Sequence, residues 1–166
     1  SIDPGMAFGT GQHATTQLCL RVLERLSKDS ELPAKLLDVG TGSGVLSMAA
    51  WYLGVKDITA TDIDPDAVLS AERNFAEHQN MEAKVLRLSV PVGDQYGLIV
   101  ANILRVVLVE LVPDIARAAE SGGLVILSGV LVEEDQQLND LCSAHGLEHL
   151  HTDSANGWVA LTYKKV

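Results

Sequence analysis

The sequence predicts an α/β fold: a doubly wound, seven-stranded, mostly parallel sheet with an antiparallel last strand. Three observations lead there. Short apolar runs alternate with stretches whose apolar residues recur at helical spacing. The first run is followed by three glycines at alternate positions and the second ends in an acid, the order of a βαβ nucleoside half-site. The final two runs are joined closely enough to pair antiparallel.

Each element follows from its own residues. Leu18, Val22 and Leu26, with Cys19 and Leu23, form a helical stripe from about Gln12 to Leu26. Leu36-Leu37-Asp38-Val39 is the first strand. Gly40-Thr41-Gly42-Ser43-Gly44 turns it into a helix from Val45 to Leu53. Asp57 to Asp62 is the second strand. Asp64 caps a helix that starts at Pro65 and turns Val68, Ala71 and Phe75 inward. Lys84 to Leu88 and Gly97 to Asn102 are the third and fourth strands. Leu108, Leu111, Val112, Ile115 and Ala119 line one side of the next helix, and Gly122-Gly123 end it. Leu124 to Leu127 is the fifth strand, and a helix from about Glu133 to Ala144 stops at Gly146. Leu147 to Leu150 and Trp158 to Tyr163 complete the sheet. Ligands of such sheets sit at the carboxyl ends of the strands. Asp38, Gly40, Asp62 and Asn102 all fall there, so residues scattered in sequence form one candidate site.

The spacing of the glycines speaks to the ligand. A dinucleotide fingerprint reads G-x-G-x-x-G, with a helix N-terminus aimed at a pyrophosphate. Here Gly40, Gly42 and Gly44 read G-x-G-x-G, and Asp38 stands two residues before the first. An acid there repels a pyrophosphate and suits a cationic ligand such as S-adenosyl-L-methionine, which has no phosphate. Asp62, one βα unit later, is placed to bridge the hydroxyls of a ribose.

Composition narrows the classes further. At 166 residues the chain is one domain, and 47% apolar with 20% charged residues makes it globular. Its net charge of −10 argues against extended contact with nucleic-acid phosphates and is compatible with a basic protein or amine substrate. Cys19 and Cys142 read as reduced core thiols of a cytoplasmic protein. No apolar stretch approaches the roughly 20 residues of a membrane span. The opening Ser1-Ile2-Asp3-Pro4-Gly5 has no initiator methionine and reads as mid-protein sequence.

The layout resembles the class I, Rossmann-like S-adenosylmethionine-dependent methyltransferases. Two motifs narrow the resemblance. Residues 3–16, from Asp3-Pro4-Gly5 through Phe8-Gly9-Thr10-Gly11-Gln12-His13-Ala14-Thr15-Thr16, resemble the opening of the catalytic domain of the bacterial ribosomal protein L11 methyltransferases. Val100-Ala101-Asn102-Ile103-Leu104 is similar to that family's substrate-side motif. The resemblance covers nearly the whole chain. It implies S-adenosyl-L-methionine as cofactor, a ribosomal protein as partner, and methyl transfer to lysine and N-terminal amines. Family cofactor contacts map onto Thr16, Gly40, Asp62 and Asn102, beside Asp38, Gly42 and Gly44 from the glycine turn. Residues 1–166 then form the catalytic domain, without the small N-terminal domain by which family members grip their substrate. Ala14 stands where the family usually has Pro, and Thr41 where it often has Cys; neither change removes a named contact.

Asn102 carries the expected chemistry. Its side-chain carbonyl can accept the hydrogens of an amine and aim the lone pair, and a neutral amide does not hold the proton on the amine as a carboxylate would. The competing role is a cap on the following helix. Asp62 competes with Asp64 for the helix cap, and Asp64, next to Pro65, fits it better. Phe8 to Thr16 reads as a lid over the cofactor. His13 reads as a cap or surface residue, Arg105 as a helix-start residue or a contact to an acidic partner. His145, His149 and His151 lack a completing Cys or carboxylate, so no metal is expected. Trp158 and Tyr163 read as sheet-face packing. The rival functions are a small-molecule N-methyltransferase of the same fold, a non-catalytic module that binds the cofactor, and a dinucleotide-dependent oxidoreductase.

Overall fold

The computed structural model describes residues 10–166, and their side chains from Ala14 onward. The motif residues Asp3 to Gly9 and the side chain of His13 therefore lie outside the described residues, as does the first part of the expected lid. The elements run α1 (Thr10–Asp29), β1 (Lys35–Val39), α2 (Val45–Tyr52), β2 (Asp57–Thr61), α3 (Pro65–Ala76), β3 (Ala83–Leu86) and β4 (Tyr96–Asn102). Then follow α4 (Arg105–Ala118), β5 (Ala119–Leu131), a short 3₁₀ turn (Val132–Glu134), α5 (Asp135–Ala144), β6 (Leu147–Ala155) and β7 (Trp158–Lys165).

The seven strands form one sheet in the order β3-β2-β1-β4-β5-β7-β6. The first five pair in parallel, and β7 runs antiparallel to both β5 and β6, as the sequence predicts. The winding reverses between β1 and β4, which opens a crevice at their carboxyl ends.

Alternation within the central strands sorts side chains into two cores. Leu36, Leu98 and Val100 face α1, α2 and α3, where they meet Leu18, Leu23, Met48 and Phe75. Leu37, Val39, Ile99 and Ala101 face α4 and α5, where they meet Leu108, Val112, Ile115 and Leu138. Because both faces are covered, β1 and β4 are apolar apart from Lys35, Asp38 and Asn102. Cys19 and Cys142 are free, buried and on opposite faces of the sheet. Tyr163 is buried and its hydroxyl donates to Asn139 Oδ1 at 2.6 Å, while Trp158 packs half-buried against the first core.

Two expectations need correction. The helix expected to run through Ala119 to Gly122-Gly123 ends at Ala118, and Ala119 is already extended and paired with Tyr96. The pairing resumes at Leu98 with Leu124, so residues 120–123 bulge out of β5. The final hairpin is also longer than expected on both strands. Asn156 and Gly157, both at positive φ (53° and 84°), make the two-residue turn that lets β6 and β7 pair from their tips.

Candidate functional site

The glycine turn between β1 and α2 is held from three sides. Thr41 N–H donates to the Thr61 carbonyl at 2.8 Å, tying the turn to β2. Asn74 Nδ2 on α3 donates to the Ser43 carbonyl at 2.7 Å. Asp38, 1% exposed, accepts from Thr41 Oγ1 and Ser47 Oγ, each at 2.7 Å. Burial is the largest cause pushing its carboxyl up to about 6; the hydrogen bonds from Ser47 and Thr41 oppose the shift and nearby Asp62 adds to it. Gly40 and Gly44 both sit at positive φ (68° and 87°). A Cβ on Gly40 would run into Ile103 Cγ2, and one on Gly44 would lie 2.5 Å from the Phe75 ring. These two positions need glycine for both dihedral and space.

Asp62 lies just past β2 and is only half-buried. Its Oδ2 accepts the Gly42 N–H and its Oδ1 the Asp64 N–H, each at 3.0 Å. Two bonds orient the carboxylate and leave a lone pair on each oxygen. Asp64, beside Pro65, caps α3 by accepting the Asp66 N–H at 2.9 Å, so Asp62 is free of the capping task.

Asn102 ends β4. The helix that follows is capped at Leu104 without a side-chain hydrogen bond, so Asn102 does not cap it. Instead Asn102 Nδ2 donates to Thr16 Oγ1 on α1 at 3.2 Å.

A cavity of about 380 Å³ opens at the switch point, within the size range of small-ligand sites. Gly40, Gly42, Asp62 and Asn102 line it; Thr16, Asp38 and Gly44 are not among its lining residues. Ile63, Ala67 and Leu88 line one part, and Ile103, Leu104, Val107 and Leu111 another. Ile103 and Leu104 belong to the motif read as substrate-side; the place of the others in a cavity wall escaped the sequence reading. An apolar Ile63 directly after the acid that ends a strand was the available signal, and it is 66% exposed. The cavity fits a nucleoside: a carboxylate for hydroxyls, bare glycine backbone for close approach, and apolar walls for a base.

The remaining candidates are tied elsewhere. Arg105 Nε pairs with Glu134 Oε2 at 2.6 Å, and Glu134 Oε1 accepts the Leu131 N–H at 2.9 Å. That network joins the start of α4 to the end of β5. His149 bonds Thr152 Oγ1 at 2.7 Å, and His151 lies 3.6 Å from Asp153. Among the described residues, no group of three or more His, Cys, Asp and Glu is placed to hold a metal ion, and no helix is long and apolar enough to cross a membrane.

The family profile described as ribosomal protein L11 methyltransferase (PrmA) matches residues 1–166. The ribosomal protein L11 methyltransferase of Geobacter metallireducens is 42% identical over 163 residues, 98% of this chain and 53% of that protein. The chain thus spans about half the length of the curated relatives it matches. The crystal structure of ribosomal protein L11 methylase from Lactobacillus delbrueckii subsp. bulgaricus superposes with a TM-score of 0.87 at 33% identity, covering 99% of this chain and 84% of that one. Magnesium protoporphyrin IX methyltransferase from Synechocystis, solved with bound SAM, shares the fold at a TM-score of 0.73 and 14% identity, covering 96% of this chain and 85% of that one. The fold is that of the class I methyltransferases, and the chain belongs to the ribosomal protein L11 methyltransferase family.

Proposed function

We propose that this chain is the catalytic portion of an S-adenosyl-L-methionine-dependent N-methyltransferase acting on lysine and N-terminal amines of ribosomal protein L11. The observation that carries the reading is a single cavity in which the Asp62 carboxylate and the Asn102 carboxamide flank the backbone of Gly40 and Gly42. When bound, the cofactor supplies a methyl group on a positively charged sulfur, open to in-line attack by an amine.

Each residue then has a defined task. Asp62 receives the ribose hydroxyls on the lone pairs left by Gly42 and Asp64. Ile63, Ala67 and Leu88 hold the base between apolar surfaces. Gly40 and Gly42 let the ligand lie against the turn, and Asp38 and Gly44 keep the turn in shape from behind. Asn102 Oδ1 accepts an N–H of the incoming amine and aims its lone pair. Being neutral, it stabilises the ammonium form less than a carboxylate would, and the amine's proton leaves to solvent before attack. A net charge of −10 favours a basic substrate.

Methyl transfer to a lysine-rich peptide at saturating S-adenosyl-L-methionine tests this. Asn102→Ala is expected to lower turnover roughly 10²-fold, the cost of one positioning hydrogen bond in the transition state, with little change in Tm. A variant that keeps more than about half the wild-type turnover removes Asn102 from the chemistry.

A further inference from the structure

Methyl transfer joins two parts of this cavity, the glycine turn that carries the donor and the Asn102 segment that aims the amine. In-line attack tolerates little error between them: a misplacement of about 1 Å costs roughly 10²-fold in rate. The sheet brings the two parts level. Val39 pairs with Ala101, so β1 passes into the turn at Gly40 just where β4 ends at Asn102.

Ile103 carries that register one residue further. It stands between two glycines at positive φ, Gly40 (68°) after β1 and Gly129 (98°) in β5, the strands that flank β4. Its Cγ2 fills the place a Cβ on Gly40 would take, and its carbonyl fills the same place on Gly129. Its N–H donates to the Ser128 carbonyl at 3.3 Å. The main chain of Ile103 is thus held to β5 while its side chain bears on the first residue of the glycine turn.

The branch at Cβ makes this contact a fixed spacer. Two heavy atoms on Cβ leave few choices of χ1, so the backbone of an isoleucine dictates where Cγ2 points. On the other side of the contact stands main chain, which does not yield by changing rotamer. An unbranched side chain of equal size has no atom at that place and can swing away from the turn.

We infer that Ile103 is a positioning residue: its Cγ2 methyl sets the spacing between Asn102 and the glycine turn, and through it the spacing between acceptor amine and methyl donor. This rests on the N-methyltransferase reading of the same cavity and adds to it the group that fixes the two halves of the reaction relative to each other.

The test uses two substitutions that separate branch from bulk. Ile103→Val keeps Cγ2 and loses only Cδ1, whereas Ile103→Leu keeps the number of carbons and has no Cγ2. Turnover of the lysine-rich peptide is read with peptide and S-adenosyl-L-methionine both saturating. It is expected to stay within about threefold of wild type in Ile103→Val and to fall roughly ten- to fifty-fold in Ile103→Leu. Gly40 lies against the cofactor in this reading, so Ile103→Leu should also weaken S-adenosylhomocysteine binding, by about three- to tenfold; saturation removes that part from the turnover. A wall that only fills space orders the variants the other way, because valine leaves a void and leucine conserves volume. A loss in Ile103→Val as large as that in Ile103→Leu, or turnover of Ile103→Leu within about threefold of wild type, would overturn the inference. Ile103→Met repeats the removal of the branch should Ile103→Leu not fold. A wild type inactive on every basic peptide would sink the methyltransferase reading instead. The ¹⁵N side-chain amide resonances of Asn102 then judge Ile103 separately: they should move in Ile103→Leu and hold in Ile103→Val. Unmoved resonances in Ile103→Leu would overturn the proposal, and the same spectra report whether each variant is folded.

Discussion

Two carboxylates close two neighbouring strands of this sheet and have opposite fates. Asp38, at the end of β1, is 1% exposed and holds the glycine turn through Thr41 and Ser47. Asp62, just past β2, is half-buried and lines the cavity. The register explains the difference. Asp38 lies opposite Ala60, so Asp62 stands two residues further along the parallel direction, a reach of about 6–7 Å. One acid ends beneath the turn as its frame, and the other clears the turn and opens on the cavity. Identical side chains at neighbouring strand ends thus become turn scaffold or cavity lining according to a two-residue offset.

The largest effect that can break this comparison is on stability against pH. Burial holds Asp38 protonated up to about pH 6 in the folded chain, against 3.8 for an ordinary carboxyl. Below the lower value both states carry the proton; between the two, only the folded state does. Stability from this group therefore falls as pH rises from about 4 to about 6, by about 3 kcal/mol in total. Asp38→Asn lacks that titration, so relative to wild type it should gain about 3 kcal/mol between pH 4 and pH 7, read from urea unfolding at the two pH values. A difference that stays flat with pH would mean that Asp38 is solvated and faces ligand as Asp62 does.

A smaller effect sharpens the contrast at β2. Asp62→Ala should weaken S-adenosylhomocysteine binding roughly ten- to a hundred-fold, the worth of charge-assisted hydrogen bonds. Asp64→Ala, which removes the cap of α3, should instead cost about 1 kcal/mol of stability, with affinity within about threefold. Calorimetric titration and thermal unfolding of both variants separate the two roles. Exchanged behaviour would place the ligand-facing carboxylate two positions further on.

What was legible in the sequence was local. The glycine triplet, the Asp64-Pro65 cap and the alternation of strand and helix each depend on residues within one turn or one strand, and all stand where expected. The Asn156-Gly157 turn was equally local, a strong hairpin signal, and overlooking it ended β6 at Leu150 instead of Ala155. Gly122-Gly123 misled because a glycine pair after a helical stripe looks like a helix end. Here the pair belongs to a bulge, where a Cβ on Gly123 would press on the Tyr96 and Gly97 carbonyls. The rest depended on long-range geometry. Nothing near Asp38 or Asp62 states the offset between β1 and β2, and Thr16 meets Asn102 across 86 residues of chain. The apolar cavity walls gather residues from strand ends and the helices that follow them, and only the assembled sheet brings them together.

The central claim is that this cavity takes a phosphate-free nucleoside bearing an amino-acid tail. Thermal unfolding of the wild-type chain with S-adenosylhomocysteine, and separately with NAD, tests it most directly. A ligand bound only by the folded state raises Tm, so millimolar S-adenosylhomocysteine should shift it by roughly 5–10 °C while NAD leaves it unchanged. No shift with S-adenosylhomocysteine together with a clear shift with NAD would contradict the assignment of the glycine turn and the chemistry built on it.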